Sequence, residues 1–465
     1  MNRTFQTILA GVALLLSSCG ASQMVAGIEG SGSPIVASGA ISGFGSIFVN
    51  GVEYATTNAQ IDIDDQPGTE SQLLVGEIVT VTGTVNADGK SGTATQVTFG
   101  GDVVGPVTQV DAATRTLVVL GQTVIVTGST VFDSNIQPAN FSGVKPGAHV
   151  EVSGFANSLG QIVASRVQLV TAGTLRVQGI VQALDSSART FQVNALLVDY
   201  SAVTPMGTLA NGSVVTVQGS GLSASGALVA TGVQVLPGLS GAANSDGEVE
   251  GVITAFTSSA DFMIGALNVT TNASTQFTLN GVTLGVDVRI EVSGSFDSSG
   301  NLVAASVTAI AESEGLVRGL VQSLPTSSTV TVLGVTVSTS ATTELEDQSS
   351  LMLRPFHLSD LRVGDYVEAR GTIGSGAALD AEVLLREDPD TLSYLQGTAT
   401  NVIAPTLTLL GVTVTTTAQT QYSGPDGSPL TAAQFFAQAP SATVQVGGTL
   451  SGGSFLATQV QIEGQ

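Results

Sequence analysis

The chain has 465 residues, with 13 Lys+Arg against 36 Asp+Glu, a formal net charge of −23, one Cys, two His and no Trp. Its length exceeds one compact core of roughly 100–200 residues, a single Cys excludes an intramolecular disulfide scaffold or Cys-based zinc cluster, and the charge repels nucleic-acid phosphates. Charged residues are only 11 % and hydrophobics 43 %, which excludes global disorder.

At the N-terminus a short polar start containing Arg3 precedes an apolar run from Ile8 to Leu16. A bilayer-spanning helix needs about 20 residues, so this run has the length of a signal-peptide core instead. It ends in Leu16-Ser17-Ser18-Cys19, followed by Gly20. This segment resembles a bacterial lipobox, in which the Cys is acylated and becomes the mature N-terminus. The chain's one Cys stands at the position the motif requires. The resemblance implies a signal peptide over 1–18, lipid attachment at Cys19 and a membrane held through that lipid. Gly20 in place of Asp implies, by the same resemblance, an outer-membrane address. Residues 19–34 are Gly/Ser-rich and unpatterned, which predicts a flexible tether.

The remainder repeats six times. The best marker is a short alternating stretch ending in Gly: Val79–Gly83, Val150–Gly154, Val215–Gly219, Ile290–Gly294, Val367–Gly371 and Val444–Gly448. Alternation predicts a strand with one face in a core and the other in water. A second marker follows: Ala94, Ala164, Ala230, Ala304 and Ala457 each stand three residues before a Val, with Asp380 in that place in the fifth copy. A third precedes it: Gly76, Gly147, Gly212 and Gly364 lie seven residues ahead of the end Gly. Asp287 and Ser441 replace it in copies four and six, which predicts a different turn there. A fourth marker is an early hairpin, as in Phe48-Val49-Asn50-Gly51-Val52, since Asn-Gly accepts the positive φ angles of a tight turn. Phe132, Phe277, Leu345 and Tyr422 follow as expected core plugs. Helix signals are confined to Thr431–Ala437 and a turn within Leu351–Leu361.

The blocks run over 35–99, 103–170, 175–236, 248–310, 315–386 and 392–463. The expected fold is all-β: six tandem small antiparallel barrels of five to six strands each, of the oligonucleotide/oligosaccharide-binding type (OB-like). Closure protects strand edges that a flat sheet would leave open. Six barrels in line would reach on the order of 170 Å. The longest linker, Leu236–Gly247, is the expected hinge and first proteolytic cut.

Gly43–Tyr54 (GFGSIFVNGVEY), together with Val103–Val107 leading to Thr116–Gly121, resembles proteins carrying tandem copies of the domain of unknown function 5666. The resemblance implies a secreted or lipid-anchored bacterial envelope protein of small β-barrel repeats. It carries no functional residues over.

Candidate chemistry is sparse. Asp62, Asp64 and Asp65 have the oxygen ligands of a cation site, and Ca²⁺-dependent stiffening would follow from one. Asp62 and Asp64 also alternate with Ile61 and Ile63, as a solvated strand leading to a Pro67-Gly68 turn would. His149 is expected to face solvent, His357 lies in a Pro-flanked loop, and the two fall in different blocks. No nucleophile elbow, phosphate loop or dinucleotide motif occurs. No catalytic residue, metal or cofactor is assigned, and the chain reads as a non-enzyme. Tyr54, Tyr200, Tyr366, Tyr394 and Tyr422 either cap barrel cores or form aromatic platforms for a glycan. The sequence therefore points to a scaffold, spacer or adhesion protein with a protein or glycan partner in the envelope and no nucleic acid. A carbohydrate binder using barrel-face Tyr and acidic residues is the alternative.

Overall fold

The computed structural model describes residues 32–463 apart from Pro138 and Asp426. The expected signal peptide and Cys19 lie outside the described residues. In barrel 1 the five wall strands are Ser33–Gly43, Ile47–Val49, Val52–Ala55, Ile78–Val85 and Ser91–Phe99, and a short strand, Gln60–Ile63, runs parallel to the last of them. The first pairs with the second and the fourth, the second with the third, and the fourth with the fifth, all antiparallel. The third and fifth close the barrel as a parallel pair, Glu53↔Ser91 to Ala55↔Thr93. The same order, 1-2-3-5-4-1, recurs in the other barrels, with the first strand of barrel 6 broken at Ala399 into Ser393–Thr398 and Thr400–Ile403. The barrels are therefore not purely antiparallel. A third strand that runs alongside the fifth forces one parallel seam, and the long connection between third and fourth strands supplies the crossover.

Each sequence marker has a structural cause. At the end Gly, the pairing of fourth and fifth strands shifts register in all six barrels. A Cβ on Gly83 would lie 2.1 Å from the Thr93 carbonyl oxygen, and on Gly371 1.9 Å from that of Asp380. This is a bulge that turns the barrel corner, and only Gly admits the backbone approach. The Ala marker lies directly opposite, as in Gly83↔Ala94 and Gly448↔Ala457. In barrel 5 the Ala opposite Gly371 is Ala381, not Asp380. The repeat there is offset by one, and Leu384 fills the buried place of the following Val.

The third marker is one turn throughout. Gly76, Gly147, Gly212 and Gly364 have φ of 82°, 89°, 88° and 97°, and Asp287 and Ser441 take the same left-handed conformation at 67° and 63°. Each donates its N–H to a carbonyl of the first strand or, at Ser441, to Ala399, which follows that strand. Copies four and six therefore do not change the turn, contrary to expectation; they accept backbone strain in it.

The cores follow the alternation: Val79, Val81, Val150, Val152, Val444 and Val446 are fully buried. Phe132 is buried, Leu345 and Tyr422 are half-buried, and Phe277 is exposed. Ala432–Gln438 is a helix capped by Thr431, whose hydroxyl accepts from the Gln434 N–H. Of the Leu351–Leu361 stretch only Leu358–Asp360 forms a helical turn.

The barrels are not strung in line. The described residues form one compact unit. The reason lies in the first strand. Its early half pairs with the fourth strand along one edge and leaves the other edge open, because the hairpin to the second strand begins later. Another barrel's first strand fills that edge. Ile35–Ser38 of barrel 1 runs parallel to Asp246–Val249 of barrel 4. Val103 and Val104 of barrel 2 pair with Val177 and Arg176 of barrel 3, and Leu316–Arg318 of barrel 5 with Tyr394–Gln396 of barrel 6. The Leu236–Gly247 linker is accordingly no hinge. Leu239 packs on the barrel 4 core, Asn244 donates to the Phe296 carbonyl at 2.8 Å, and barrel 4 is held by barrel 1.

A charged seam and a candidate binding cleft

The outward face of the fourth strand, expected to be wet, is buried between barrels in part: Glu151, Ser153, Thr216, Glu368 and Arg370 are all below a tenth exposed, while Thr80, Thr82, Glu291 and Gln445 keep some exposure. Burial of such groups demands partners from other barrels. Arg176 of barrel 3 meets Asp64 and Asp65 of barrel 1 at 2.9 and 3.4 Å. Arg166 of barrel 2 donates to the Val75 carbonyl of barrel 1 at 2.8 Å and to Glu346 of barrel 5 at 3.1 Å. Arg289 and Glu250 pair within barrel 4 at 2.8 Å, and Glu250 also accepts the Ala40 N–H of barrel 1. Arg370 of barrel 5 donates to the Thr130 carbonyl of barrel 2.

Glu344 of barrel 5 sits where four barrels meet. Its electrostatic neighbours include Arg166 of barrel 2 and Arg289 of barrel 4, and Gly76 of barrel 1 abuts it. Its Oε2 has no hydrogen-bond partner. Burial, with Arg289 opposing it, raises its carboxyl well above the usual range. Burial likewise pushes Glu77 and Glu248 up to about 8 and Glu151 to about 7. Among the described residues no group of three His, Cys, Asp or Glu could hold a metal ion.

The sequence candidates are dispersed through this architecture. Asp64 and Asp65, at φ of 51° and 62°, themselves form the turn that was assigned to Pro67-Gly68. Asp62 accepts from Gln60 and Gln96 instead of joining them. His149 does not face solvent freely: it is half-buried at the start of a strand, and its Nε2 is buried without a partner. His357 precedes the Leu358–Asp360 turn and contacts Asp360 at 3.4 Å. Tyr54, Tyr200 and Tyr366 are buried core caps. Tyr422 packs on Phe435, with ring centroids 5.3 Å apart.

Tyr394 is the exception. It lines a cleft of about 860 Å³ between barrels 2, 5 and 6. The floor is the outward face of the joined sheet of barrels 5 and 6. Two cross-strand rows cover it. One runs Leu316, Gln396, Gln445, Gln461 and the other Arg318, Tyr394, Gly447, Gln459. Gly447 makes room for the ring, since a Cβ there would lie 2.9 Å from Tyr394 Cε1. Gln445 donates to Gln396 at 3.2 Å, and Gln461 stands next to Gln445 in the same row. The cations of the cleft are all engaged: Arg318 with Glu387 at 2.6 Å, Arg115 with Glu463 at 3.3 Å, and Arg370 with Glu368. Sequence reasoning named Tyr394 but passed over the glutamines. Their signal was available: Gln445 stands where the other copies carry Thr80, Glu151, Thr216, Glu291 and Glu368.

Six closed barrels joined by edge pairing and buried ion pairs, with an open polar cleft, define a modular scaffold-like β protein. The matching family model, domain of unknown function (DUF5666), covers residues 35–98, 104–168, 178–234, 250–308, 318–383 and 396–461. The chain belongs to that family, in six tandem copies. Comparison with curated proteins found no match.

Proposed function

We propose that this protein is a non-enzymatic interaction scaffold, held to the outer membrane through acylated Cys19 and presenting a preassembled six-barrel body to an envelope partner. The observation that carries the reading is the joining of barrels far apart in the chain, barrel 1 with barrel 4, into one unit. A body of that kind presents surfaces in fixed relation, so binding does not spend free energy on ordering them. It does not suit an extended spacer. The strand order 1-2-3-5-4-1 with a parallel third and fifth strand supports the OB-like reading of each barrel. The glycan alternative now rests on Tyr394 and its amide-lined cleft instead of on five tyrosines.

The test is metabolic palmitate labelling and membrane fractionation of cells expressing the wild type and Cys19→Ala, followed by protease shaving of intact cells. Label and membrane retention lost in Cys19→Ala support the anchor; retention in that variant sinks it. Cleavage in intact cells gives a surface partner, and protection until the outer membrane is opened gives a periplasmic one.

A further inference from the structure

We infer that the cleft between barrels 2, 5 and 6 is a binding site for an uncharged oligosaccharide, with Tyr394 as the stacking platform and Gln396, Gln445 and Gln461 as hydroxyl-recognising groups. The inference rests on the interaction-scaffold reading and narrows its ligand.

Three features select the ligand class. The first is the replacement of charge by amide at one place in the repeat. In barrel 2 the equivalent outward residue, Glu151, is buried in the seam, and in barrel 5 Glu368 is buried against Arg370 at the cleft wall. In barrel 6 the same face is half-exposed and opens into the cleft, with Gln445 beside Gln396 and Gln461 in one cross-strand row. An amide both donates and accepts, which suits hydroxyls that do the same. The second is the aromatic ring of Tyr394, laid beside Gly447 with the Arg318 guanidinium 5.5 Å from its centroid, and half-exposed in the cleft. A sugar's C–H face packs on such a ring while its hydroxyls reach the flanking amides. The third is electrostatic. Every Arg of the cleft is paired with a carboxylate, and Asp388 and Asp390 add further negative charge. An anionic ligand is repelled, and no unpaired cation waits for one. The volume falls within the range of small-ligand sites. A peptide is the weaker fit, because strand addition needs an open edge and the first-strand edges of barrels 5 and 6 are already filled by each other.

The site needs three barrels, so the experiment uses residues 19–465 with Cys19→Ser, not an isolated repeat. Calorimetric titration is run with cellotetraose, tetra-N-acetylchitotetraose and tetragalacturonate. The expected result is saturable binding of at least one neutral tetramer and none of the uronate. Tyr394→Ala and Gln445→Ala should each weaken it about tenfold or more at unchanged melting temperature, and Tyr394→Phe should retain it. Absence of binding by both neutral tetramers at millimolar concentration overturns the assignment, as does binding indifferent to Tyr394→Ala. Tetragalacturonate or a peptide competing through the same residues overturns the ligand class. None of these outcomes touches the Cys19 anchor, so failure of the glycan site and failure of the scaffold reading are read separately.

Discussion

Glu250 of barrel 4 accepts the backbone N–H of Ala40 in barrel 1 at 3.1 Å, while Arg289 holds its other oxygen. One carboxylate thus ties a lateral strand pairing to a buried ion pair. Removing the guanidinium leaves a carboxylate uncompensated at the seam. Arg289→Ala should destabilise the body by about 3–5 kcal/mol, as breaking buried pairs does, and Glu250→Gln by less. Chemical denaturation of the two variants measures both, and a loss in Arg289→Ala no larger than in Glu250→Gln would contradict the account.

The raised carboxyls set a pH dependence. Glu77, Glu151 and Glu248 titrate higher in the folded protein than in the unfolded chain, at about 8, 7 and 8. The native state therefore binds more protons than the unfolded one between their two values. Their contribution is complete below the ordinary carboxylate range and is lost as pH rises through 7 to 8, at up to about 1.4 kcal/mol per pH unit for each group. The melting temperature should fall from pH 5 to pH 9. Glu77→Gln should flatten the curve; a rising wild-type profile would show that these groups are solvated.

The bulge glycines are predicted to be irreplaceable. Gly371→Ala sets a methyl 1.9 Å from the Asp380 carbonyl oxygen, whereas a Cβ on Gly232 would meet only Gln218 at 4.0 Å. The first should cost several kcal/mol, of order 2–4, and the second lie within about 0.5 kcal/mol of wild type. Equal melting temperatures for the pair would remove the corner argument.

Ser441 adopts φ of 63° on an exposed turn where four other copies use Gly. Ser441→Gly should stabilise by about 0.5–1 kcal/mol by relieving the left-handed conformation. Asp287→Gly should gain less or lose, because Asp287 also accepts the Ser158 N–H of barrel 2 at 2.8 Å. Thermal unfolding of both separates turn strain from contact between barrels.

Much of each barrel was legible because its causes are local. Alternation at Val79 and Val81 placed them in a core, Asn50-Gly51 placed a hairpin, and Thr431 placed the helix Ala432–Gln438. The errors came from reading positions singly. Asp380 stands at the spacing of the Ala marker because Ala381 is offset by one residue, and only the register across from Gly371 reveals the bulge. Asp287 and Ser441 looked like a different turn because residue type alone does not report φ. Asp64 and Asp65 looked like a solvated strand because their partner, Arg176, lies in another repeat.

What the sequence determined by itself is the repeat: its number, its strands, its core and its corner glycine, all fixed by patterns within about 75 residues. What the tertiary structure decided is which barrel meets which. The pairings 1 with 4, 2 with 3 and 5 with 6 arise because each first strand leaves half an edge unfilled, and an unfilled edge pairs with whatever strand the chain can bring to it. The seam charges and the cleft follow from that choice, since burial of Glu151 and Glu368 and exposure of Gln445 are set by neighbours distant in the chain.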